Sequence, residues 1–363
     1  MNLSWSSDLN LTGVASPGLL IDVDCLAANI QSMLAIVGGD ASRLRPHVKT
    51  HKMSRVIQMQ REAGIDQFKV ATLSEAQMVA EAGGRDVLIA YQMVGPNVER
   101  LAKLLDAHRA TRFATIVDHP DAVALLGNRF ADAGRPLSVM IDVDCGMHRT
   151  GIEMGPALQQ LRDQIDSTAG LRYAGLHVYD GHLHDPSLQE RRARAQAIFE
   201  ELRRYDREHP SPCIVGGGSP TFAVWAERTP WQCSPGTTLF WDTGYGSCFP
   251  ELEFRVGLAL VTRVISKPGA DRICLDIGYK SMAAEMPLEK RVVIPDIPDA
   301  QFIGQSEEHL VVATSRADDF SLGHAFLAYP RHVCPTVALH DFATVLRDGK
   351  ISGEQWKVDA RAR

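Results

Sequence analysis

Residues 67–91, QFKVATLSEAQMVAEAGGRDVLIAY, contain the unit from which most of the chain is built. QFKVAT (67–72) and DVLIAY (86–91) are short β-branched and apolar runs. Between them Leu73, Ala76, Val79 and Ala80 recur at helical spacing, and the Gly83–Gly84 pair ends the helix. Working outward, the same alternation runs from about residue 19 to 245. LRPHVK (44–49), FATIVD (113–118), LSVMIDV (137–143), YAGLHVY (173–179), CIVGGG (213–218) and TTLFWDT (237–243) bring the strands to eight, and LQERRARAQAIFEELRRYDREH supplies a long charged helix. Eight strands alternating with helices predict an α/β fold, a (β/α)8 TIM-like barrel over 19–245. A doubly wound sheet is the alternative, but no GxGxxG fingerprint follows the first strand.

After residue 246 the texture changes. GLALVTRVISK, DRICLDIGY, HLVVATS and PTVALHDFATVLR read as strands separated by Gly, Pro and Asp turns, predicting a second, mostly β domain over 246–363 to which residues 1–18 are expected to contribute. The composition, 45% hydrophobic and 23% charged, excludes a disordered chain or a disulfide scaffold. A net charge of -6 without long runs gives no reason to expect nucleic acid or a membrane as partner. No apolar stretch approaches ~18 residues and the N-terminus lacks a basic start, so a soluble, cytoplasmic protein is expected. Seven cysteines without CxxC spacing suit a reducing compartment.

Barrel enzymes carry their reactive groups at the carboxyl ends of strands. The first strand ends in RPHVKTHK, where Arg45, His47, Lys49, His51 and Lys52 crowd into eight residues. A lysine at a strand end is ordinarily just solvated. One crowded by cations has the depressed pKa that an imine-forming amine requires. The seventh strand ends in VGGGSPT, where Gly216, Gly217, Gly218 and Ser219 could close around a phosphate or simply form a tight turn. An amine at one strand end and a phosphate loop at another are what pyridoxal 5'-phosphate needs. The fifth strand leads into IDVDCGMHRTGI, where Arg149 pairs with Asp144 or offers its charge to a cofactor or substrate. The sixth runs into HVYDGHLHD, where His182 and His184 among carboxylates could be a metal site or supply a general base. In YPRHVCPT, His332 and Cys334 stand two apart. On an extended strand both would face one cation, too few ligands for a closed zinc site but enough for an open one; an inert half-buried cysteine is the plain reading. Glu307, Glu308 and His309 could support that site or lie on a solvated turn.

Together RPHVKTHK, IDVDCGMHRTGI, VGGGSPT and the terminal HxCPT resemble the D-threonine aldolase and D-serine dehydratase family, pyridoxal-phosphate enzymes of alanine-racemase-type fold. The likeness covers nearly the whole chain, and RPHVKTHK is its most specific element. The resemblance implies Lys49 as the Schiff-base lysine and Gly216, Gly217, Gly218 and Ser219 as the phosphate loop. It implies Arg149 and Tyr179 beside the cofactor, His332 and Cys334 as the divalent-metal pair, and a homodimer. Aldolases of this family typically show Asp where Cys334 stands, whereas YDGHLHD does not reproduce the strand-six motif of the dehydratases. The thiolate favours zinc, with manganese or magnesium as alternatives. The expected activity is retro-aldol cleavage of a small D-β-hydroxy-α-amino acid to glycine and an aldehyde, with His182 or His184 as base. The alternative is elimination by a D-serine or D-3-hydroxyaspartate dehydratase to a 2-oxo acid and ammonia. A non-catalytic pyridoxal-phosphate carrier would need only the barrel, and a metal-only hydrolase leaves Lys49 unexplained.

Overall fold

Pro46 decides how the first barrel strand is made. Lacking an N–H, it cannot sit within a continuous ladder, and the segment joins the sheet only through isolated parallel bridges, Leu44 to Cys233 and His47 to Lys69. Those two bridges span the open edges of a seven-stranded parallel path. In order it runs Gln67–Val70, Asp86–Gln92, Arg112–Val117, Leu137–Asp144, Leu171–Val178, Ile214–Gly216 and Gln232–Cys233. Eight positions therefore go round the ring, as the alternation predicts. The computed structural model describes residues 5 and 9–362.

The eighth strand is not where the sequence placed it. TTLFWDT forms a 3-10 turn over Thr237–Leu239, Trp241 takes a left-handed φ of 45°, and Asp242 caps the helix Thr243–Cys248. The true eighth strand is the two-residue Gln232–Cys233, too short to leave a periodic signature.

Helices follow the strands for local reasons. Thr72 accepts the Glu75 N–H, and the Glu75 carboxylate reaches back to the Ala71 N–H at 2.6 Å, so helix Leu73–Glu81 starts where strand Gln67–Val70 ends. Ser187 accepts the Glu190 N–H and so caps Leu188–Glu208, and Pro96, Pro120 and Pro156 open three others at the first turn. Inside the sheet, Leu88, Ile116, Met140 and Val215 form a packed layer. Gly175, at φ 126°, sits where a Cβ would lie 1.9 Å from the Cys213 carbonyl oxygen, so only glycine fits between the sixth and seventh strands.

The chain forms two compact units and crosses between them more than once. One holds Met33–Lys49 and Ser54–Gly236. The other holds the residues up to Ser32, then Thr50–Met53 and Thr237–Arg361. In the second unit the strand Gly18–Asp22 is central, antiparallel to Leu258–Gly269 and parallel to Phe342–Arg347. The sheet continues through Arg272–Leu275, Leu310–Ala313 and Gln301–Gln305 on one side and Lys350–Lys357 on the other. Of the N-terminal stretch 1–18, residues 1–4 and 6–8 lie outside the described residues. Trp5 is buried, its indole donating to the Val256 carbonyl at 2.9 Å. No described helix is long and apolar enough to cross a membrane.

Arg45 locks the ring. Its guanidinium is buried and binds Asp86 at 2.5 Å, Gln67 at 2.7 Å and Gln232 at 2.8 Å, tying the first segment to the second, third and eighth strands. Arg45→Ala leaves the half-buried Gln67 and Gln232 carboxamides and Asp86 short of a donor and is expected to cost about 2 kcal/mol or more in urea unfolding. A loss under about 0.5 kcal/mol, the size of an ordinary surface substitution, would show that the lock does not hold the ring closed.

Candidate functional site

Lys49 follows directly on the bridged segment, in a 3-10 turn over Val48–Thr50 rather than at the end of a continuous strand. His47 Nδ1 accepts the Lys49 N–H at 3.3 Å, which fixes the turn. The sequence cluster around Lys49 is dispersed by the fold. Arg45 faces Asp86, His51 is fully buried, and Lys52 takes φ 54° and donates to the Ala360 carbonyl. Burial, and then the Lys52 charge, push the His51 imidazole down to about 3.

Other basic groups take their place. Lys49 Nζ lies 5.9 Å from the centroid of the Tyr179 ring, Lys69 Nζ lies 5.6 Å from it, and the Arg149 guanidinium lies 5.1 Å from it. Arg149 is free for this because Asp144 is already occupied, accepting the backbone N–H groups of Gly146, Met147 and His148 and pairing with the His148 ring at 2.9 Å. An aromatic face offsets only about 0.5–2 kcal/mol per cation. Three basic groups around one ring therefore favour an anionic occupant.

Lys69 was not singled out by the sequence, since a lysine inside QFKVAT reads as a solvated residue on a half-exposed strand. The barrel buries it to 3% exposure. Its amine meets His177 Nε2 at 3.5 Å, His177 Nδ1 meets Asp142 Oδ1 at 2.7 Å, and Thr150 donates to Asp142 Oδ2 at 3.0 Å. Burial, and then the Lys49 charge, push Lys69 down to about 7. Burial also lowers His177, against the pull of Asp142. Burial alone would raise the Asp142 carboxyl, but hydrogen bonding to His177 and Thr150 and the charge of Lys69 outweigh it and hold Asp142 below its usual range.

The glycine loop adjoins the same ring. Trp225 packs beneath it, donating to Asp180 Oδ2 at 2.7 Å, and a Cβ on Gly216 would lie 2.2 Å from that indole. Gly217 has φ 68°, which glycine adopts without strain. A Cβ on Gly218 would touch Tyr179 at 3.5 Å, and the Gly218 N–H binds Asp180 Oδ1 at 3.2 Å. Ser219 Oγ accepts the Gly236 N–H at 3.1 Å, joining the loops after the seventh and eighth strands. An amine and a glycine-walled loop thus flank one basic aromatic floor, and this donor set fits an aldehyde that also bears a phosphate.

His182 and His184 lie in the loop after Leu171–Val178. His184 is exposed. His182 is half-buried, its Nδ1 is buried without a hydrogen-bond partner, and its Nε2 faces Gly146. Burial and then Arg194 lower its pKa, favouring the neutral imidazole.

In the β unit, His332 and Cys334 do not lie on an extended strand. His332 is the N-cap of the short helix Val333–Val337, and Cys334 is in its first turn. The helical turn still leaves the two side chains in contact. Although burial opposes its charge, Cys334, Glu285 and Asp242 together push His332 up to about 9. Glu285 binds His332 Nδ1 at 2.5 Å. Glu307 and Glu308 instead pair with Lys280 at the surface. Thr50, which belongs to this unit although it directly follows Lys49, places its hydroxyl 3.2 Å from the Cys334 sulfur, and Thr237 places its own at 3.7 Å. Asp242, buried and for that reason raised to about 6, accepts the Val333 and Tyr245 N–H groups and so anchors the turn. A thiol and an imidazole holding a proton between them are a donor pair from which a divalent cation can displace that proton. Among the described residues no group of three or more His, Cys, Asp and Glu side chains forms a metal cage.

Residues 21–243 match the alanine racemase N-terminal domain, and residues 257–346 match a serine dehydratase domain. The chain is 30% identical to a D-threonine aldolase of Arthrobacter, over 97% of this chain and 94% of that protein. It is 27% identical to a D-threo-3-hydroxyaspartate dehydratase of Delftia, over 89% and 92%. The crystal structure of a D-threonine aldolase from Filomicrobium marinum superposes with a TM-score of 0.88 at 28% identity, covering 97% of each chain. These relatives are lyases, and the fold is that of alanine racemase. The chain belongs to the D-threonine aldolase and D-serine dehydratase family of alanine-racemase-like proteins.

Proposed function

We propose that the chain is a pyridoxal-phosphate- and divalent-metal-dependent lyase that cleaves D-β-hydroxy-α-amino acids by retro-aldol chemistry to glycine and an aldehyde. The observation that carries this reading is the placing of Lys49, Arg149 and the Gly216–Ser219 loop around the Tyr179 ring. Pyridoxal phosphate, when bound, supplies the electron sink. Lys49 would anchor it covalently. Gly216, Gly217, Gly218 and Ser219 would hold its phosphate, and Tyr179 and Arg149 would form the floor and the cationic edge. His332 and Cys334 would hold a divalent cation, which supplies Lewis-acid chemistry to a substrate oxygen. Thiolate ligation favours zinc over manganese or magnesium.

Of the two imidazoles, His182 supports the role of base better than the exposed His184. Its lowered pKa favours the neutral imidazole, and its ring is half-buried. In this reading it takes the proton of the β-hydroxyl. The dehydratase reading is kept because of Cys334, a thiol where the aldolase branch typically has a carboxylate. There the α-proton would leave to Lys49 and the β-oxygen would depart instead.

Product analysis with D-threonine and D-serine separates the two. Glycine with acetaldehyde is expected from D-threonine, whereas 2-oxo acid with ammonia from either substrate would make the chain a dehydratase. His182→Gln is expected to lower kcat with D-threonine by about 10²-fold or more, while His184→Gln leaves it within a few-fold. The reverse order would move the base to His184. Removing divalent metal with a chelator is expected to abolish turnover while the cofactor's visible band persists. Full activity after exhaustive chelation would remove the metal from the reading.

A further inference from the structure

A lysine buried to 3% exposure on a barrel strand is costly unless the fold uses it, and Lys69 lies on the same ring as Lys49. Its backbone is fixed, with the Lys69 N–H bound to the Pro46 carbonyl at 2.9 Å. Its amine is fixed as well. If His177 donates from Nδ1 to Asp142 at 2.7 Å, as so short a contact with a carboxylate requires, Nε2 carries the lone pair and accepts from Lys69. Asp142, His177, Arg149, Thr150 and Tyr179 line a void of about 30 Å³, room enough for water.

We propose that Lys69 acts through Lys49, taking the proton that the Lys49 ammonium must lose before its nitrogen can bond to an aldehyde carbon, with His177 and Asp142 holding the Lys69 amine in position. This rests on reading Lys49 as the covalent anchor. The step balances without any change of oxidation state. The Lys49 nitrogen gives up three protons; one goes to Lys69, and two leave with the carbonyl oxygen as water while a carbon–nitrogen double bond forms.

The groups facing Lys69 suit this exchange. Lys49 and Arg45 disfavour its charge, and Asp180 and Asp142 favour it. With burial dominant, Lys69 is lowered to about 7, so it is charged below that pH and a neutral base above it.

The test mixes cofactor-free protein with pyridoxal 5'-phosphate, quenches with borohydride at timed intervals, and weighs the adduct by mass spectrometry from about pH 6 to about pH 9. The wild-type rate is expected to rise with a half-point near 7. Lys69→Met is expected to lose that rise and to slow adduct formation about 10²-fold at the alkaline end, with the final yield unchanged. Methylamine is expected to restore the rate in Lys69→Ala. Asp142→Asn removes a carboxylate that favours the Lys69 proton, so it should move the half-point to lower pH; this variant carries the test if the Lys69 variants do not fold. A wild-type rate and pH profile in Lys69→Met, or an unmoved half-point in Asp142→Asn, overturns the proposal. A wild-type adduct that survives Lys49→Ala would instead overturn the assignment of Lys49 itself.

Discussion

A parallel ring of strands needs every edge paired, and here one edge is closed by a segment that cannot form a strand. Pro46 prevents a continuous ladder, so closure falls to two isolated bridges and to the Arg45 side chain, which reaches Gln67, Asp86 and Gln232 at once. The compensation is local geometry. Because the segment stops being a strand at His47, the chain turns in a 3-10 coil that presents Lys49 towards Tyr179. A regular strand there would alternate side chains and bury every second residue. The irregular closure and the placing of the amine are one feature.

The barrel unit's electrostatics follow from that placement. Positive groups converge on a neutral ring, and the nearby carboxylates are committed elsewhere. Asp144 is wrapped by its own loop, Asp180 is bound by Trp225 and Gly218, and Asp142 is held by His177 and Thr150. The site keeps a basic character that Asp142 and Asp180 offset only in part, beside a loop in which Gly216 and Gly217 are required by Trp225 packed beneath them. The β unit has its own logic. Asp242 anchors the turn through the Val333 N–H, while Glu285 and two threonine hydroxyls hold the imidazole and thiol.

Much of this was legible in the sequence where it rested on periodicity. Seven of the eight ring positions, the long helix Leu188–Glu208 and the strands Leu258–Gly269, Arg272–Leu275, Leu310–Ala313 and Phe342–Arg347 follow from apolar spacing, whereas the start of PTVALHDFATVLR, expected as strand, falls in the helix Val333–Val337. What was illegible rested on long-range packing. Gln232–Cys233 is too short to show a period, and TTLFWDT is extended by composition but broken by the left-handed Trp241. His332 and Cys334 come together although their segment is a helical turn, because a turn also brings near neighbours together. Lys69, His177 and Glu285 were missed for a common reason. Each lies in an ordinary-looking run, and only the fold brings the partner that gives it chemistry. The cationic cluster of RPHVKTHK drew attention to Lys49 through neighbours that the fold disperses, since Arg45 faces Asp86 and His51 is buried, and Lys69 and Arg149 lie with Lys49 around Tyr179 instead.

Lys49, and not the buried Lys69 that faces the same ring, is the amine proposed to carry the cofactor. Peptide mapping of borohydride-fixed protein tests this most directly. The pyridoxyl label is expected on the peptide containing Lys49. A label on Lys69, or no label on protein saturated with pyridoxal phosphate, would contradict it.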